Sequence, residues 1–123
     1  MNSKIRRRAL AAVGAVALIP SSLVVTASPA QAALGNCSYP WVCLYNASQT
    51  KVAQYKDVTT YFQDISRTDI AWLKNTRNDD VVYIRYTSGY TACVENNREA
   101  DLRISGYGRV NGIRISSSDT CFR

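Results

Sequence analysis

The chain has 123 residues, with 15 Lys and Arg against 9 Asp and Glu, four cysteines and no histidine. Without histidine, Ser-His-Asp and Cys-His nucleophilic sites as commonly built are excluded, and the usual nitrogen ligand for zinc is missing. The chain reads as a non-enzyme without a cofactor, and its length leaves room for one domain.

Residues 1–32 form a secretory leader on this reading. Lys4, Arg6, Arg7 and Arg8 make a basic head, an apolar run extends from Ala9 to Ile19, and Ala30-Gln31-Ala32 offers small residues for cleavage after Ala32. The run stops at Pro20, short of the roughly 20 apolar residues that a membrane span needs. Of the 15 basic residues four lie in the leader, so residues 33–123 keep 11 against 9 acidic ones, a net +2. Such a weak charge argues against nucleic acid as partner. The predicted product is a secreted, extracellular, monomeric domain spanning residues 33–123.

All four cysteines, Cys37, Cys43, Cys93 and Cys121, fall in that domain, and an even count in an exported chain predicts two disulfides. Three connectivities are open. Cys37–Cys43 with Cys93–Cys121 is preferred, because the first closes a tight loop around Pro40 and the second ties a strand to the C-terminus. Metal binding is not expected, since no CxxC pair occurs.

In chain order, short β-type runs alternate with turn residues. They are Trp41 to Tyr45, Val52 to Tyr55, Ile70 to Leu73, Val81 to Tyr86 and Tyr90 to Glu95, with alternating apolar pairs at Leu102/Ile104 and Ile113/Ile115. Val82, Ile84 and Tyr86 share one face of the fourth run, and Val81, Tyr83 and Arg85 share the other. Ser88-Gly89 predicts a hairpin turn into Tyr90. Val58 to Ile65 reads as a single helical turn. Tyr45 and Tyr86 are 41 positions apart, as are Trp72 and Ile113, a spacing that suggests two related halves. The fold class expected is all-β, an antiparallel sandwich or barrel.

Certain residues carry a resemblance. Cys37, Cys43-Leu44-Tyr45, Val82-Tyr83-Ile84-Arg85-Tyr86, Gly89-Tyr90 leading to Cys93-Val94, Gly106-Tyr107-Gly108 and Cys121 together resemble the secreted actinobacterial metalloproteinase inhibitors. The resemblance spans most of residues 37–121. It implies a βγ-crystallin-like Greek-key sandwich and an extracellular metalloproteinase as partner. Where such inhibitors carry a Tyr/Phe-Gly-Gly turn, Ser48 to Val52 here has no glycine. Gly108-Arg109-Val110-Asn111 puts a cation where crystallin-type loops bind calcium, and Asn78-Asp79-Asp80 reads as a solvated turn.

The resemblance implies Cys93–Val94 as the reactive bond. Cys93 anchors the loop, Val94 supplies a bulky apolar residue after the bond, and Tyr90, Ala92, Glu95 and Asn96 are contacts around it. On this reading Val94→Asp weakens inhibition and leaves folding intact. The residues taken alone also allow Cys93 and Val94 to be buried strand positions. Two further functions remain open for the same fold, a secreted antimicrobial or killer-toxin-like protein and a structural extracellular domain. Glu95, Glu99 and Asp101 read as solvated carboxylates. Arg85, Arg103 and Arg114 read as outward residues on half-buried strands.

Overall fold

A computed structural model describes residues 34–121, so the leader and its cleavage after Ala32 lie outside the described residues. Among the described residues there are eight strands and no helix. They are β1 (Val42–Tyr45), β2 (Lys51–Tyr55), β3 (Gln63–Asp64), β4 (Trp72–Asn75), β5 (Val81–Tyr86), β6 (Thr91–Val94), β7 (Arg98–Asp101) and β8 (Val110–Ser116). No helix of the described residues is long and apolar enough to cross a membrane.

Two four-stranded antiparallel sheets form, in the orders β2-β1-β4-β7 and β3-β8-β5-β6. The two orders are one pattern. Adding four to each strand number of the first sheet, and counting β7 on to β3, gives the second. Each half of the chain therefore lends its third strand to the other half's sheet. The 41-residue spacing has a physical counterpart here. Pairing shifts by a residue between Leu44 and Tyr45 in β1, and between Arg85 and Tyr86 in β5.

Strand alternation builds the core between the sheets. Leu44 and Leu73 face Val82, Ile84, Ile113 and Ile115, and all are fully buried. Of the intervening positions of β5, Tyr83 and Arg85 are only half-buried, as a period of two requires, whereas Val81 is fully buried where its amide donates to the Ser118 carbonyl. A second, smaller cluster joins Leu34, Cys43 and Tyr45 under Trp41 and Trp72. Both disulfides pair as preferred, Cys37–Cys43 and Cys93–Cys121.

Three expectations are corrected. Val58 to Ile65 is no helical turn: Val58 bridges Ile115 in parallel, and Gln63–Asp64 pairs with Gly112 and Ile113 as β3. Leu102 and Ile104 lie in no strand, and β7 is the charged run immediately before them. The strand expected at Ile70 to Leu73 starts two residues later, at Trp72. The glycine-free turn after β1 is closed by Asn46 instead. Its side-chain oxygen accepts from the amides of Ser48 and Thr50, and Gln49 adopts the left-handed φ of 65° that glycine would otherwise take.

The two related tyrosines both end on backbone carbonyls. Tyr45 donates to Gly35, and Tyr86 donates to Leu102 at 2.7 Å. Burial, with the nearby Tyr90 and Asp101, pushes the Tyr86 phenol up from 10.0 to about 12, and burial also raises Tyr45 and Tyr55. The folded state thus holds these protons after the unfolded chain has released its own. The contribution of Tyr86 is complete below pH 10 and is lost as pH rises through about 12. Urea midpoints measured across that window are expected to fall steeply for the wild type and less steeply for Tyr86→Phe.

Candidate functional site: an unguarded strand edge

The four outer strands of the two sheets are β2, β7, β3 and β6. Exposed edges invite pairing with other chains, and proteins blunt them with charge, proline or shortness. β2 carries Lys51, β7 carries Arg98, Glu99 and Asp101, and β3 is two residues long. β6 reads Thr91-Ala92-Cys93-Val94, with no charge and no proline. Among the described residues it is the one outer strand without a charge, a proline or a length of only two.

This strand is held at both ends. Upstream, Gly89 takes a φ of 94° in the hairpin turn and donates to the Tyr86 carbonyl. The Tyr90 ring stacks on Tyr107, with centroids 4.1 Å apart and planes 6° from parallel. The loop bearing Tyr107 is locked to the hairpin, because Thr87 and Ser88 donate to the carbonyls of Arg109 and Tyr107. Gly108 is required there. Its φ is 83°, and an added Cβ would overlap the Thr87 hydroxyl.

Downstream, Cys93 is bonded to Cys121. The Glu95 carboxylate accepts from the Cys121 amide at 3.4 Å, and the Asn96 amide donates to the Asp119 carbonyl at 3.1 Å. Beneath the turn lies Asn75, 1% exposed. Its Nδ2 donates to the carbonyls of Asp80 and Glu95, at 3.0 and 3.1 Å, and its Oδ1 accepts from the Arg77 amide. Arg77 in turn forms a nearly buried ion pair with Asp80, Nε to Oδ2 at 2.7 Å, and donates to the carbonyls of Pro40 and Lys56. The Glu95 carbonyl is thus fixed from inside the fold.

The predicted site residues are brought together on this segment with different orientations. Tyr90 is 42% exposed, and Glu95 is exposed. Ala92 and Asn96 are half-buried, and Ala92 packs on the core. Cys93 pairs with Tyr83, so its disulfide lies on the outer face of the sheet. Val94 pairs with Val82 and faces the core, at 6% exposure. Val94→Asp would therefore bury an unpaired carboxylate and does not test binding alone. Sequence reading missed Asn75 and Tyr107. An Asn closing an apolar strand, and a Tyr between two glycines, were the available signs.

The three arginines separate. Arg85 and Arg114 share the outer face of the second sheet, where both lie over Phe62 and Arg114 also lies over Tyr83. Arg85 reaches across Gly112 to Asp64 at 3.0 Å. Arg103 lies over Trp72, next to the first sheet's β4, and is forked onto Asp101. The three carboxylates also go separate ways. Glu95 faces Cys121, Glu99 faces Lys74 and Asp101 faces Arg103. Hydrogen bonding from Arg103 holds the Asp101 carboxyl below the usual range.

No protein-family model, curated protein or solved structure matches the chain.

Proposed function

We propose that the protein is an extracellular proteinase inhibitor of βγ-crystallin-like Greek-key type, directed at a metalloproteinase, which presents β6 and its flanks to the enzyme cleft. The observation that carries this reading is the uncharged outer edge of β6, pinned by the Tyr90–Tyr107 stack on one side and the Cys93–Cys121 bridge on the other. Proteinases bind extended backbone, and an unpaired strand edge offers that shape directly. Because the strand is already ordered, little entropy is lost on docking. The exchange of third strands between the halves supports the Greek-key assignment.

The burial of Val94 shapes the mechanism. Placing its side chain in an enzyme pocket would withdraw it from the core, at a cost of about 2 kcal/mol. Docking along the edge keeps Val94 inside and leaves the Cys93–Val94 bond uncut. Tyr90, Thr91 and Glu95 then supply the outward contacts. Titration of the oxidised protein against a thermolysin-like and a subtilisin-like proteinase is the test. Stoichiometric loss of the metalloenzyme's activity is expected, weakened at least tenfold by Glu95→Lys. A folded protein that inhibits neither enzyme would overturn the proposal.

The buried Val94 side chain equally favours a second reading, in which no reactive bond exists and the domain is antimicrobial or structural. Growth inhibition of fungi or competing bacteria, with both proteinases unaffected, would select it.

A further inference from the structure

A groove of about 460 Å³ opens where the segment after β7 meets the start of β8. Its floor is aliphatic, made by Ile70, Leu102, Ile104 and Val110, and Arg103 and Arg109 also line it. The groove falls within the size range of small-ligand sites, which are mostly apolar with a few directing polar groups. The two guanidinium groups differ. Arg103 is satisfied by Asp101, with both nitrogen–oxygen distances at 2.8 Å. The other arginine–aspartate pairs among the described residues are Arg67–Asp69, Arg77–Asp80 and Arg85–Asp64. None of these carboxylates serves Arg109, which is exposed.

The backbone that carries Arg109 is nevertheless fixed. Its carbonyl accepts from Thr87, and the preceding Gly108 is locked in a positive φ against the Thr87 side chain. Arg109 therefore lines an aliphatic trough from a fixed loop, with no carboxylate of the described residues paired to its guanidinium. An aliphatic floor with one arginine already bound to Asp101 and another left to a ligand fits an aliphatic chain that carries one anionic head. A planar fork of donors favours a carboxylate at that head.

We infer that this groove binds a free single-chain aliphatic carboxylate, its chain lying on Ile70, Leu102, Ile104 and Val110 and its head on Arg109. The groove shares the Gly108–Arg109 loop with the upstream anchor of β6, but the inference does not depend on the inhibitor reading. Calorimetric titration of the oxidised protein with sodium decanoate tests it, with decanol and decyltrimethylammonium in parallel. Saturable binding of one decanoate is expected, at least tenfold weaker for decanol and lost for the cation. Arg109→Glu, with an unchanged near-ultraviolet circular dichroism spectrum, is expected to weaken decanoate at least tenfold. Arg109→Gln serves if the charge reversal disturbs folding. Equal affinity for decanol and decanoate, no saturable binding, or an Arg109 variant with unchanged affinity would overturn the inference. Association with phosphatidylglycerol vesicles in the absence of decanoate binding would also overturn it, in favour of a lipid surface.

Discussion

Asn75→Leu is expected to cost about 3–5 kcal/mol of folding stability, a loss that brings a small domain close to unfolding. Leucine has as many side-chain heavy atoms and is no smaller, so the cost does not arise from a cavity. It comes from leaving the carbonyls of Asp80 and Glu95 and the amide of Arg77 buried together without their partner. Each such group costs about 1–3 kcal/mol when stranded, and partial relaxation reduces the sum. Urea unfolding of the two proteins measures the difference. A change below 1 kcal/mol would mean that water reaches these groups or that the turn re-forms around the leucine. The loss is expected to spread to the Glu95 turn, so any inhibition should fall even under conditions where the variant remains folded.

Removal of the second disulfide, as Cys93→Ala with Cys121→Ala, is expected to cost about 3.5 kcal/mol, from the loop it closes in the unfolded chain. Removal of Cys37–Cys43, which closes a loop only six residues long, should cost about 2 kcal/mol. The two variants separate stability from function. Cys37–Cys43 lies beside the smaller cluster, far along the chain from β6, whereas Cys93 belongs to the strand itself. Under conditions where both variants are folded, only the loss of Cys93–Cys121 should weaken proteinase inhibition. Equal inhibition by both variants would mean that β6 needs no anchor at its downstream end.

Much of the fold was legible wherever burial imposed a period on the residues. The alternation of Val82, Ile84 and Tyr86 against Val81, Tyr83 and Arg85 marked β5 because one of its faces is packed and the other, past the buried Val81, is half-solvated. β7 was not legible. Arg98, Glu99 and Asp101 keep its outward edge charged, and only Ala100 gives an apolar signal. β3 is two residues long and exists through its pairing with β8, contacts 48 and 50 positions away that no local pattern records. Leu102 and Ile104 imitate a strand because one seals the core and the other lines the groove, each from an irregular loop. Around residues 90–96 the sequence marked a strand but not its orientation. Whether Val94 points in or out depends on how many residues the Thr87–Tyr90 turn consumes, and a slip of one reverses every side chain on β6.

The exchange of third strands also governs how the protein comes apart. β3 completes a sheet whose other members lie beyond residue 80, while β7 completes the sheet built from the first half. Neither half closes its own sheet, so a fragment cut in the Thr76–Asp80 turn lacks a strand that only the other fragment supplies. Melting is therefore expected as one cooperative transition, with calorimetric and van't Hoff enthalpies in agreement. The same interlock makes folding wait on pairings distant in sequence, which places it on the slow side for a domain of this size. For the extracellular role proposed above, the interlock has a use: neither half detaches first to offer an unfolded segment to a protease.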